Sequence, residues 1–201
     1  MAGQRLRRRD SQSHRQTVTP RRIAALRAIL DRAYLTYDAG WLDPDPVQFV
    51  WRFKRTEDRE VAGLLASALA YGNVTQIKRS VERVLALLGD RPARAVDTLD
   101  AATALRALEG FKHRFNDARD AVCLLIFIRE MRRASGSIEA FFAPGDLVTD
   151  IRGALTSFAH RALSLPREHL YGRGPLPRSA GVRFFFPSPE DGSACKRMCL
   201  F

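Results

Sequence analysis

Residues 56–88 read as two helices in succession with one break between them, and this pair limits the possible folds more than any other stretch. Thr56 caps the first, with Glu57 and Asp58 in the turn where a helix dipole favours negative charge. Val61, Leu64, Leu65, Ala68 and Leu69 share one face, while Ala62, Gly63, Ala66, Ser67 and Ala70 keep the remaining sides small. A helix that is apolar or small nearly all round belongs at the centre of a structure. After the break at Gly72, Val74, Ile77, Val81, Val84, Leu85 and Leu88 form a stripe opposite Lys78, Arg79, Glu82 and Arg83. The two should pack as a helical hairpin.

The rest of the chain repeats that pattern. Between Thr19-Pro20 and Gly40, Ile23, Leu26, Leu30, Ala33 and Tyr37 recur at helical spacing, with a capping Thr, a first-turn Pro and a closing Gly. Two prolines make 41–53 a connector that packs Trp41, Phe49, Trp51 and Phe53. One or two short helices fill Arg91 to Gly110, interrupted around Asp97 to Asp100. Asn116 and Asp117 open a long buried helix, closed at Ser135-Gly136 with Arg129, Arg132 and Arg133 in its last turns. Asp146 caps another, with Leu147, Ile151, Ala154, Leu155 and Phe158 on one face. Ser193 would cap a last helix running to Phe201. No period-2 alternation is long enough for a sheet, so the expected fold is all-α, a bundle of roughly six or seven helices.

Two segments stand apart. The opening 1–19 is Arg-rich and almost without apolar residues, which reads as a disordered basic arm; the helical domain would then span 20–201. From 165 to 191, Pro and Gly are dense and "VRFFF" is the only strand-like run, so a long functional or disordered loop is expected there.

Bulk properties exclude several classes. The 201 residues suffice for one domain with a real core, and no stretch approaches the ~18 apolar residues that a membrane span needs. Three cysteines, Cys123, Cys195 and Cys199, form no disulfide framework, and there is no secretory signal. A cytoplasmic protein with no membrane partner is expected. The net charge of +11 favours an anionic partner, of which nucleic acid is the commonest for a basic chain; a solvated face with many arginines is the duller explanation.

No metal site is expected, because Cys195 and Cys199 lack matching partners, and His160 and His169 lie in a different setting. No cofactor is expected either: phosphate loops and hydrolase elbows are missing. Lys196 is the one catalytic candidate, sitting just inside the expected helix start with Gly192, Ser193 and Arg197, where backbone amides and a cation would hold a phosphate. A solvated Lys-Arg pair explains it as well. In "FKHRF", from Phe111 to Phe115, aromatics alternate with Lys112, His113 and Arg114, as in nucleic-acid binders; a loop anchored by two phenylalanines is the alternative.

The segments "DPVQF" (Asp45 to Phe49), "EVAGLLASALAYGNVTQI" (Glu60 to Ile77), "KHRF" (Lys112 to Phe115) and "GSACKRMCLF" (Gly192 to Phe201) together resemble an uncharacterised bacterial family of conserved hypothetical proteins with a domain of unknown function. That family is distantly similar to the helix-hairpin-helix DNA glycosylases of base-excision repair. The resemblance implies a glycosylase-like bundle, DNA as partner, and Asn73 at a turn that faces the DNA opposite a flipped base. A plain helix boundary at Gly72-Asn73 is the alternative there.

It also implies that "PEDGSACKR" is the phosphate-gripping hairpin. Pro189 and Gly192 keep the spacing of its Leu-Pro-Gly-Val-Gly pattern, but Glu190 replaces the first Gly. Lys196 falls two residues later than the glycosylase lysine, a turn of roughly 200° on a helix. In family members the Cys-Lys-Arg segment continues to a Pro-Leu-Asp-Thr-His motif whose Asp resembles the catalytic aspartate. This chain ends earlier, so a fragment or a truncated or frameshifted product, inactive as a glycosylase, is the expectation. The alternative function is a non-enzymatic helical module that binds nucleic acid or protein.

Overall fold

The computed structural model describes residues 19–37, 45–145, 150–168 and 170–201. The chain divides into two compact units, 1–41 and 42–201. The expected basic arm, apart from Thr19, lies outside the described residues, as do Gly40, Trp41, Asp146, Leu147 and His169.

In the first unit, helix α1 (Pro20–Thr36) starts as its sequence indicates: the Thr19 side chain accepts from the Arg22 amide at 3.4 Å, and Pro20 sits in the first turn. Ile23, Leu26, Ile29 and Leu30 are exposed along it.

The second unit holds α2 (Gln48–Trp51), α3 (Thr56–Ala68), α4 (Val74–Leu88), α5 (Pro92–Asp97), α6 (Ala101–Ala107), α7 (Ala118–Ser135), α8 (Ile138–Phe142) and α9 (Ile151–Leu163). The all-α expectation holds, with more and shorter helices than the apolar pattern indicates. Helices α3 and α4 are the predicted hairpin, α3 buried on nearly every side and α4 only along Ile77, Ser80, Val81, Val84, Leu85 and Leu88. Thr56 proves to be the first helical residue, and Arg55 before it supplies no side-chain cap.

Helix α7 is the axis of the core. Every residue from Ala121 to Ile128 is at most 2% exposed, and α5, α6, α8 and the segment Gly181–Phe185 pack around it. Its start is fixed by a reciprocal cap: the Asp117 carboxylate accepts from the Arg119 and Asp120 amides, and the Asp120 carboxylate accepts from the Asp117 amide. Helix α9 is capped by Asp150. Among the described residues no helix is long and apolar enough to cross a membrane.

Three expectations are corrected. For Phe111 to Phe115 the alternative of a loop anchored by two phenylalanines does not hold: Lys112 to Asp117 is a small antiparallel hairpin, β1 (Lys112–His113) and β2 (Asn116–Asp117), with Lys112 opposite Asp117 and His113 opposite Asn116. Arg114 takes a positive φ of 55° at its tip. Only Phe111 anchors it, at 3% exposure; Phe115 is 52% exposed.

The strand-like "VRFFF" is a 3₁₀ turn, Gly181–Phe185. Its buried residues, Val182, Phe185 and Phe186, recur at helical rather than alternating spacing, so Phe184 faces outward. The Pro/Gly-rich segment thereby closes one side of the core, also burying Leu176, Ala180 and Ser188.

No helix starts at Ser193. Gly192 is left-handed at φ 76°, and Cys195 follows with φ 48°. Two left-handed residues so close together cannot propagate an α-helix. What forms instead are two 3₁₀ turns, Pro189–Asp191 and Met198–Leu200, joined irregularly.

Candidate nucleic-acid interface

The hairpin tip, the end of α3 and the turn Gly181–Phe185 converge on a chain of polar side chains roofed by aromatic rings. His113 is fully buried. Its Nε2 lies 3.1 Å from the Tyr71 carbonyl oxygen and its Nδ1 2.9 Å from Ser80 Oγ, which in turn accepts from Gln76 at 3.4 Å. Burial holds the imidazole pKa below its usual value, and the charges of Arg114 and Arg197 push the same way.

The Tyr71 hydroxyl donates to the Asn116 side-chain oxygen, and Asn116 Nδ2 donates to Asp120 Oδ2 at 3.0 Å. The other Asp120 oxygen accepts from the Tyr171 hydroxyl. Every link pairs a donor with an acceptor, as a buried polar chain requires. Burial, helped in both cases by the Asp120 carboxylate, raises both tyrosine pKa values well above normal.

Above this chain the aromatic rings meet. Phe115 stacks on Tyr71 with centroids 5.5 Å apart at 23°, and Phe184 meets Phe115 edge-on at 4.5 Å and Tyr71 at 4.7 Å. The Arg197 guanidinium lies 3.9 Å from the Phe184 centroid and 5.0 Å from that of Tyr71, donating to the Ala68 and Phe184 carbonyls at 2.8 and 2.5 Å. Its charge is partly desolvated, which lowers its pKa.

A groove of about 520 Å³ runs beside these rings, lined by Phe115, Phe184, Arg178, Arg183, Arg197 and Asp191 among others. Across the Ser179–Gly181 segment a second groove of about 500 Å³ includes Arg119, Asp117, Asp120 and Tyr171. Among the described residues, Lys112, Arg114, Arg119, Arg178, Arg183 and Arg197 have no carboxylate partner. By contrast, Arg129 and Arg132 are committed to Glu130, Glu168 and Asp97.

The sequence-predicted site residues divide into four groups. Asn73 caps α4, accepting from the Thr75 amide at 2.9 Å, and shares its neighbourhood with Lys112 and Arg114: the Arg114 stem covers Gly72, and Gln76 of α4 donates to the Lys112 carbonyl at 3.3 Å. Ser193 and Arg197 line the groove beside Phe115. Gly192 and Lys196 are exposed outside that lining, and Lys196 lacks the helix-terminal amides that were to hold a phosphate beside it. His113, buried between Ser80 and Tyr71, can support the surface but cannot touch a ligand on it.

Sequence reasoning passed over Tyr71, Phe184, Asp120 and Tyr171 as site residues. Spacing could have flagged two of them, through the Asp117/Asp120 reciprocal cap and the phase of "VRFFF"; the linking of Tyr71 to Tyr171 through Asn116 and Asp120, across a hundred residues, leaves no local signal. No group of metal-binding side chains occurs among the described residues.

No curated protein and no solved structure matches the chain. A family model described as "Protein of unknown function (DUF2400)" matches residues 45–201, which takes in the hairpin, the aromatic roof and both grooves. The chain therefore belongs to the DUF2400 family of proteins of unknown function.

Proposed function

We propose that this protein binds DNA through the face built from the Lys112–Asp117 hairpin, the Gly72-Asn73 turn and the Phe184/Arg197 pair, in the manner of a glycosylase-like helical domain. The observation that carries this reading is the set of rings Tyr71, Phe115 and Phe184, crossed by Arg197 and flanked by arginines without carboxylate partners. Aromatic faces interleaved with cations that have no carboxylate partner suit a ligand of bases and phosphates. The net charge of +11 supports attraction to a polyanion.

Base excision is the activity that the glycosylase resemblance implies for such a domain. The features of this face support binding; its buried carboxylate, Asp120, already accepts hydrogen bonds on both oxygens, and Lys196 is exposed outside the groove lining. Binding without catalysis is therefore the leading form of the proposal.

Fluorescence anisotropy with a labelled oligonucleotide across a salt series tests it. The affinity should fall steeply as salt rises, with a log–log slope set by the number of phosphates neutralised. The variant R114A/R178A should weaken binding and flatten that slope, while R129A, remote from this face, should at most affect stability. Salt-independent or undetectable DNA binding would refute the reading. A panel of lesion-bearing duplexes then separates binding from excision.

A further inference from the structure

We infer that Phe115 is a stacking platform for an unpaired nucleobase, so that this face prefers single-stranded nucleic acid to duplex; the inference rests on the nucleic-acid reading above. An apolar ring at the tip of a two-residue turn, 52% exposed, contributes little to the core beneath it. Yet it is held in place, stacked on Tyr71 and perpendicular to Phe184, while the Tyr71 hydroxyl is tied to Asn116. A ring already immobilised loses little freedom when a ligand lands on it. Such a surface is built to be covered.

A flat ring recognises another flat ring by its face. In a duplex, base faces are covered by their neighbours and only the edges show in the grooves, whereas an unpaired base offers its face to any aromatic side chain. The charges beside Phe115 indicate where the strand runs. The groove toward Arg119 also holds Asp117 and Asp120, but the one toward Phe184 sets Arg178, Arg183 and Arg197 against Asp191 alone. The groove toward Phe184 is the cationic one, and Phe115 stands at its wall.

The whole chain, titrated against labelled single strands of about 16 nucleotides, as DNA and as RNA, and against the matching duplex, reads this directly. Wild type should bind a single strand at least about tenfold tighter than duplex, and F115A should weaken the single strand about tenfold and the duplex markedly less. F115W should keep the preference, because it keeps a ring face. Thermal melts of F115A matching wild type would assign the loss to the missing ring rather than to unfolding. The DNA to RNA ratio then identifies the natural source of the unpaired base. Equal affinity for single strand and duplex, or equal weakening of both by F115A, overturns the inference while leaving salt-dependent DNA binding intact. Absence of salt-dependent binding to any of the three refutes the binding reading itself.

Discussion

His113 Nε2 lies 3.1 Å from the Tyr71 carbonyl oxygen, and a carbonyl can only accept, so Nε2 carries the proton and Nδ1 accepts from the Ser80 hydroxyl. Neutral imidazole satisfies both contacts; an imidazolium would also present a donor to Ser80, in a site where Arg114 and Arg197 already contribute positive charge.

That relationship sets a pH dependence. Burial lowers the folded-state pKa of His113 below the ordinary histidine value of 6.5, so the unfolded chain takes up the proton first as pH falls. Stability should be fully present above the unfolded pKa and decline as pH drops toward the folded one. Urea midpoints at neutral and mildly acid pH should show the loss, and H113Q, which cannot protonate, should show less of it. A H113Q chain with an unchanged acid loss would rule out His113 as its source.

Asp120 receives donors on both oxygens, from Tyr171 on one and from Asn116 and the Asp117 amide on the other. An amide in its place can accept on one side only and sets its own donor against one of these groups. D120N should therefore cost about 2–3 kcal/mol, and Y171F, which leaves one oxygen unserved, about 1–2 kcal/mol. Chemical denaturation of both variants and of the double mutant would show the coupling as non-additivity; additive losses would mean that the two groups do not act as one network.

How much of this was legible varied with distance along the chain. Helices α3, α4 and α7 announce themselves because their apolar spacing is local, although the cap of α3 is not where Thr56 suggests, and Asp100 and Gly136 end up at helix boundaries as their types suggest. The turn at Gly181–Phe185 was misread because three consecutive phenylalanines mimic a strand, when only Val182, Phe185 and Phe186 are buried. The helix expected at Ser193 fails at Cys195, whose left-handed backbone no composition rule foresees. Within the candidate site, Asn73, Lys112, Arg114 and Arg197 were legible as polar residues in suggestive segments. Tyr71, Phe184 and Tyr171 become part of a site only through contacts made across the fold.

The cysteines give a test of the C-terminal packing. Cys123 is inaccessible within α7, with its thiol pKa pushed up to about 12 by burial, and Cys195 is 2% exposed with its pKa also raised by burial. Cys199 is exposed. A thiol reagent at neutral pH should therefore label one cysteine quickly in the native protein and all three after denaturation. Fast labelling of Cys195 would show that the segment following Gly192 does not hold its packed position.

Gly181 offers the sharpest test of how the Pro/Gly-rich segment closes on the hairpin. Its backbone is not in the left-handed region, so an alanine there meets a problem of space alone. A Cβ would come 2.7 Å from Asp120 Cγ and 2.8 Å from Asn116 Nδ2, both far inside contact distance. A flexible neighbour could swing away, but Asp120 is held by three donors and Asn116 by Tyr71, so the strain must be taken up by the segment itself. G181A should cost about 1–3 kcal/mol, seen as a lowered thermal midpoint. Because Gly181 borders both grooves, displacement of its segment should also reshape the surface beside Phe115. Wild-type stability in G181A would mean that the segment does not lie against the Asn116/Asp120 pair, and the aromatic roof would lose the support that positions Phe184.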